Sequence, residues 1–316
     1  MANLIKKIQN SIFENSLFER NSKIVLGVSG GPDSTCLLDI FSKLQKKYAI
    51  ELSIAHVNYH LRGKDSKKDE DFVGKLAEKY KLSINILDAK IEEGDKSEEK
   101  LRDIRYAFFE EVRKENKFDF IAVAHNSDDQ AETVLMRLIR GTGLNGLSAM
   151  RAKNEKIIRP LLDTTRKEIT AYLRSNRLSY RIDKTNKESI YLRNKIRNRL
   201  IPYLEKNFNP NIKFVLAKSA KAFGEDYAVI KELAEKAWKN NQLLYVEKIL
   251  AQPVAIQKRI IQKALTQKNE KINRKGFSQI EEILKALRST KNKNQVISGA
   301  GLKMTRYGDK INLELI

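Results

Sequence analysis

Gly27-Val28-Ser29-Gly30-Gly31-Pro32-Asp33-Ser34 is the stretch on which the fold turns. The apolar run Ile24-Val25-Leu26 precedes it, and Thr35-Cys36-Leu37-Leu38-Asp39-Ile40 follows. That order predicts a buried strand, a glycine-rich loop and a helix. Such a loop bares backbone N–H groups at a helix N-terminus, a site suited to a chain of phosphates. No Gly-Lys-Ser/Thr closes it, so it is not a Walker loop, and it lacks the spaced glycines of a dinucleotide fold. An ordinary turn has no need of the hydroxyls of Ser29 and Ser34 or the carboxylate of Asp33.

Outward from the loop, short apolar runs alternate with helical patterns. Strands are expected at Lys23–Val28, Glu51–Val57, Ser83–Leu87 and Phe118–Ala124, and helices near Ser34–Lys47, Ser66–Tyr80 and Ser97–Asn116. Strands spaced by helix-length segments imply βαβ units, hence an α/β fold with a Rossmann-like parallel sheet. Ligands in such sheets sit beyond the carboxyl ends of the strands. Three segments fall there: Ser29–Ser34, Ala55–Arg62 and Ala124–Asp129. Thr165-x-x-Glu168 reads as a capping box opening a further helix. Beyond Pro210 the pattern changes to long helices and then short terminal strands. We therefore place a catalytic domain at 1–210 and a smaller, mainly helical domain at 211–316.

The chain of 316 residues carries a net charge of +21. Residues 206–316 alone hold 22 basic against 10 acidic residues. This is the electrostatic footprint of a polyanion binder, though charge says little about sequence preference. No apolar run approaches the ~18 residues that span a bilayer. The N-terminal stretch Leu4, Ile5, Ile8, Ile12 reads as an amphipathic helix and not as a signal peptide, so a cytoplasmic location is expected. A single cysteine excludes a disulfide framework and Cys-x-x-Cys chemistry.

A second block, Ala124-His125-Asn126-Ser127-Asp128-Asp129-Gln130-Ala131-Glu132-Thr133, follows a predicted strand and opens a helix. Ser127-x-x-Gln130 reads as its capping box, with acids at the positive end of the helix dipole. Asp129 and Glu132 share one face and suit an ammonium group or a magnesium ion. Arg137 and Arg140 could face phosphates. Arg193 and Arg197, spaced i,i+4, put two guanidiniums on one side of a helix and suit phosphate clamping.

Taken together, these blocks resemble the tRNA(Ile)-lysidine synthetases of the PP-loop superfamily. The resemblance runs through Ser29–Ser34, His56-Val57-Asn58-Tyr59-His60-Leu61-Arg62, Arg105-Tyr106 and His125–Thr133. It continues through Arg137–Leu147, Arg159-Pro160-Leu161-Leu162, Asp183-x-x-Asn186 and Arg193-Asn194-x-Ile196-Arg197. His125-Asn126 stands where a double histidine is more usual. The resemblance implies an enzyme that adenylates the wobble cytidine of a CAU-anticodon tRNA(Ile), releasing pyrophosphate. It then joins free L-lysine to the ring with loss of AMP, switching codon reading from AUG to AUA. It further implies ATP contacts from Ser29, Gly30, Gly31, Pro32, Asp33, Ser34, Ala55 and His56, with Asp33 holding Mg2+. Lysine would fall to Asp129 and Glu132, and the chemistry to Asp33, His125, Asp129 and Arg197. Arg105, Arg137, Arg140, Arg193 and Arg197 would contact tRNA. Many members carry an additional C-terminal domain, and the length of this chain predicts only one domain after the catalytic one. The oligomeric state is left open, a homodimer included.

Two relatives of the same superfamily fit less well. A tRNA thiolase would rely on cysteines for a cluster or a sulfur carrier, and Cys36 stands alone. An amidating synthetase would leave the basic charge unexplained. A non-catalytic RNA-binding protein would not need Ser29–Ser34 and His125–Glu132 intact.

Overall fold

The computed structural model describes residues 4–61, 63–89, 91, 97–181, 192–240, 244–268, 277–289, 295–299 and 302–315. Arg62, Asp183 and Asn186 of the sequence pattern lie outside these residues. By its internal contacts the chain divides into two compact units, Met1–Gly224 and Glu225–Ile316. The division falls inside a long helix (Ile212–Lys239) that begins just beyond the boundary expected near 210.

The first unit is built on a six-stranded sheet. Its strands are β1 (Lys23–Gly27), β2 (Glu51–Asn58), β3 (Ser83–Asp88), β4 (Phe120–Ala122), β5 (Lys153–Asn154) and β6 (Ile157–Ile158). Their order is β3-β2-β1-β4-β6-β5, parallel except for β5 at the edge. Ile24, Val25 and Leu26 of β1 are fully buried, as a strand covered by helices on both faces requires. Helices α1 (Leu4–Glu14), α2 (Pro32–Tyr48), α3 (Lys64–Tyr80) and α4 (Glu98–Glu115) belong to this α/β half. The amphipathic reading of α1 holds: Leu4, Ile8 and Ile12 are buried in the same core as Leu37, Ile40 and Phe41 of α2. Phe108, Phe109 and Val112 of α4 pack with Val25, Ala55 and Ile121 of the sheet.

The strand order reverses between β1 and β4. The chain winds from β1 to β2 to β3, then returns to the other side of β1. The gap beyond the carboxyl ends of β1 and β4 is therefore the topological switch point, where open α/β sheets hold their ligands.

Helices α5 (Ser127–Ile139), α6 (Leu144–Leu147), α7 (Arg166–Ser175), α8 (Leu192–Lys195), α9 (Ile201–Asn207) and the start of α10 (Ile212–Lys239) complete the unit. A single π-helical turn, Ile196–Leu200, joins α8 to α9. Leu135 of α5, Ile196 and Ile201 form a small core of their own.

The second unit holds the rest of α10, α11 (Val246–Leu250), α12 (Val254–Lys268), α13 (Phe277–Leu287) and an antiparallel sheet β7-β8-β9 (Gln295–Gly299, Leu302–Tyr307, Lys310–Leu315). Its core centres on Trp238, Ile249, Ile260, Leu265, Leu284 and Met304. No helix among the described residues is long and apolar enough to cross a membrane.

Candidate active site

The loop after β1 is pinned by its own hydroxyls. Ser34 Oγ accepts the Ser29 N–H at 3.2 Å and donates to the Gly31 carbonyl at 3.1 Å. Ser29 Oγ accepts from the Gly31 N–H at 3.4 Å. Gly30 has φ of +80°, the left-handed region that a side chain resists. Gly31 caps α2 without a side chain, and Pro32 occupies the first turn. The first N–H groups of this 17-residue helix thus have no capping side chain to satisfy them. Gly27, at the end of β1, is required by a close approach: a Cβ there would lie 2.6 Å from the Phe109 ring.

Ala55 and His56 brace this loop from behind. The Val28 N–H donates to the Ala55 carbonyl at 3.0 Å, and the His56 ring donates from Nδ1 to the Val28 carbonyl at 2.8 Å. Both side chains are buried, and burial lowers the His56 pKa, so its ring is neutral. His60 is exposed and pairs with Asp88 instead.

The block after β4 corrects one sequence expectation. The cap of α5 is Asn126, not Ser127. The Asn126 side chain accepts the Asp129 N–H at 3.1 Å, and Asp129 Oδ2 accepts the Asn126 N–H at 3.0 Å. Asn126 wins because it lies in extended backbone, where an Ncap belongs, whereas Ser127 is already helical. Asp129 therefore spends one oxygen on the cap. Its other oxygen accepts from Arg193 Nη2 at 2.8 Å and Arg197 Nη2 at 3.2 Å.

Glu132, one turn further on, is almost fully buried and takes both arginines. Arg193 Nε donates to it at 2.7 Å and Arg197 Nη2 at 2.9 Å. Two buried carboxylates and two half-buried guanidiniums thus balance one another. Burial pushes the Asp129 carboxyl up, but Arg193, the Asn126 N–H and Arg197 outweigh it and hold the acid below its usual range. Burial acts on Arg193 in the opposite sense and is likewise overcome, by Asp129 and Glu132, which raise its pKa. The π-turn carrying Arg197 departs from regular α-helical spacing, and such turns are frequent at functional sites.

Asp33 stands in the first turn of α2. Burial pushes its carboxyl up to about 6 against the opposing pull of Arg166, with which it forms an ion pair. His125 is held neutral, chiefly by burial. Arg159 Nε donates to its Nδ1 at 3.3 Å. A guanidinium can only donate, so Nδ1 is the acceptor and the ring proton sits on Nε2. Arg159 is itself buried and anchored by a 2.9 Å bond from Nη1 to the Arg151 carbonyl.

Ser29, Gly31, Asp33, His125, Asp129 and Arg105 all line one cleft of about 400 Å³. Arg105 lies with its guanidinium over the Tyr106 ring, 5.8 Å from the centroid. Arg137 turns away, donating to the Gly146 and Ala149 carbonyls at 2.9 Å each. Arg140 is exposed at the end of α5.

Sequence reasoning gave no site role to Arg166, Arg181 or, beyond its place in the Arg159–Leu162 match, Arg159. Arg166 occupies the first position of α7, where the helix dipole disfavours a cation, and that misplacement was its signal. Arg159 interrupts the apolar run Ile157-Ile158-x-Pro160-Leu161-Leu162, where a charge needs a partner. Arg181 left no comparable mark. It lines the cleft, donates its N–H to the Gly30 carbonyl at 2.9 Å and pairs with Asp69 at 2.8 Å.

Residues 1–204 match the PP-loop domain family. A tRNA(Ile)-lysidine synthase of Clostridium perfringens is 39% identical over 324 aligned positions, which take in 98% of this chain and 69% of that protein. The chain belongs to the tRNA(Ile)-lysidine synthase family. Synthases of Clostridioides difficile and Geobacter sulfurreducens are 42% and 35% identical, over 73% and 89% of this chain. Those alignments take in 52% and 62% of the two relatives. Among solved structures, the U34-tRNA thiolase NcsA from Methanococcus maripaludis with its [4Fe-4S] cluster superimposes with a TM-score of 0.56. It is 24% identical and covers 70% of this chain and 78% of its own, a likeness of fold alone. Every cleft residue described above lies within the 204 residues matched to the PP-loop domain.

Proposed function

We propose that this chain joins lysine to the wobble cytidine of a CAU-anticodon isoleucine tRNA, using ATP and forming lysidine. The observation that carries the reading is a juxtaposition. The glycine-rich loop, through Ser29, Gly31, Asp33 and Ser34, lines the same cleft as His125 and Asp129, and Asp129 in turn holds Arg193 and Arg197.

In the first step the cytosine 2-oxo oxygen attacks the α-phosphorus of ATP. The new O–P bond forms as the bond to pyrophosphate breaks, and the loop amides of Gly30, Gly31 and the first turn of α2 stabilise the departing charge. In the second, the ε-nitrogen of lysine bonds to the activated ring carbon, and AMP leaves with the former 2-oxo oxygen. The attacking amine must be neutral, so the site has to orient lysine and take up its proton. His125, fixed as an Nε2–H donor, suits the developing charge on the activated cytidine.

Free lysine carries an ammonium and a carboxylate. Asp129 and Glu132 suit the first, and the guanidiniums of Arg193 and Arg197 that they already hold suit the second. Arg105 and Arg140 are the better-placed contacts for tRNA phosphates. For Arg137 and Arg193 that role rests on the N–H groups their internal bonds leave over. No group of three or more metal-binding side chains occurs among the described residues. Magnesium does not need one, since it binds through one or two carboxylates together with substrate phosphates. Asp33 fits that mode, and the ion would neutralise charge on the phosphate chain.

The purified chain, given ATP, radiolabelled lysine and CAU-anticodon tRNA(Ile), should release AMP and pyrophosphate and leave label in the tRNA. No label in tRNA and no pyrophosphate would overturn the reading.

A further inference from the structure

Two aromatic rings stand in water where the fold has no use for them. Tyr203 of α9 is 57% exposed and Phe208, just past its end, is 70% exposed. They touch each other, with ring centroids 5.9 Å apart and planes tilted by 59°. Neither joins a hydrophobic core, although Ile201 and Leu204 of the same short helix do. Exposed, paired aromatics of this kind mark an interaction surface.

The surrounding charge says which kind of partner. Between Lys195 and Lys221 the basic residues are Lys195, Arg197, Arg199, Lys206, Lys213, Lys218 and Lys221, and Glu205 is the sole acid. Glu205 is itself neutralised by Lys213 at 3.2 Å. Lys195, Arg199 and Lys206 are exposed. Aromatic rings interleaved with unopposed cations form the combination that binds single-stranded nucleic acid, rings stacking on bases and cations tracking phosphates.

Position adds a second argument. Helix α9 continues directly from the π-turn that brings Arg197 to Asp129 and Glu132. At ~1.5 Å of rise per residue, Tyr203 lies roughly 9 Å along the axis from Arg197. That is about the length of two or three stacked nucleotides.

We propose that Tyr203 and Phe208 are a stacking platform for the unpaired bases that flank the nucleotide held in the cleft. The inference rests on the tRNA reading above and extends it: the chain grips a single-stranded loop beside the reacting base, by stacking that does not depend on base identity.

The test uses the full chain and an anticodon stem-loop RNA containing CAU, with 2-aminopurine beside the cytidine. Wild type should bind it and quench the 2-aminopurine. Tyr203→Ala with Phe208→Ala should weaken binding roughly tenfold to a hundredfold, abolish the quenching and leave the salt slope unchanged. Tyr203→Trp with Phe208→Trp should restore both signals, whereas Lys206→Gln should shallow the salt slope and keep the quenching. Both rings are exposed, so circular dichroism should show the alanine pair folded. Undiminished affinity and quenching in the alanine pair would overturn the platform while leaving the tRNA reading intact. A smaller species in sedimentation, with RNA affinity unchanged, would overturn it in favour of a contact between copies. Failure of wild type to bind the stem-loop at all would remove the tRNA reading and the platform together.

Discussion

At Asp33 the proposed role opposes stability. Its acid is pushed up to about 6 in the folded chain from an ordinary 3.8. A raised carboxyl pKa means the folded state holds the proton more tightly than the unfolded one between those values. Stability is therefore lost as pH rises from about 4 to 6, by up to about 3 kcal/mol for this group. Asp33→Asn should gain on wild type by that order between pH 4 and pH 7 in urea titrations without ATP or magnesium. Asp33→Ala should fold and show no pyrophosphate release. A constant difference across pH would remove Asp33 from the groups whose burial costs stability. His125 carries a second prediction at this scale. With only three histidines in the chain, 15N spectra should assign its Nε2 as protonated and Nδ1 as bare. Arg159→Met should mix the two tautomers and lower kcat more than it raises KM for ATP. In a His125→Gln background, which keeps a donor near the Nε2 position, the same change should cost little more. Additive losses would mean that Arg159 acts only as a strut to the Arg151 carbonyl.

At the scale of elements, what could be read from sequence was what is local. The strand, loop and helix at Lys23–Tyr48 announce themselves through an apolar run, two glycines and a proline, all within reach of one another. The capping box at Thr165–Glu168 is equally local and is present as expected, with bonds of 2.7 and 3.1 Å. The cap at α5 was misplaced by one residue because Asn126 and Ser127 both suit the role, and only the backbone angle separates them. The carboxylate–guanidinium cluster was half legible. Asp129 with Glu132 and Arg193 with Arg197 each stand out by spacing, but nothing local says that one pair neutralises the other across more than sixty positions. The cluster sets the third prediction. Arg193→Met leaves buried acids short of a partner and should cost about 3–5 kcal/mol, read as a fall in the urea midpoint. Restoring charge balance with Glu132→Gln should recover part of that loss. If the single variant melts like wild type, the cluster contributes no stability.

For the whole molecule the governing quantity is the +21 charge, spread over both compact units. Neutralising several lysines within 206–316 should weaken tRNA binding and flatten its dependence on salt, each lost phosphate contact lowering the slope by about one unit. A slope that stays put would mean that those lysines make no phosphate contact. The sheet order also follows at this scale, since a chain that winds outward and then returns to the far side of β1 brings two loops to one cleft.

The order in which the chain leaves the ribosome gives the acid–arginine cluster a further meaning. Asp129 and Glu132 are synthesised well before Arg193 and Arg197, and a domain folds as a unit during synthesis. Until the π-turn has emerged, α5 carries two acids whose burial has nothing to balance it. Burial of α5 against its neighbours is thereby expected to wait for residues 193–197, and a chain ending before Arg193 should show a lower urea midpoint than the full chain.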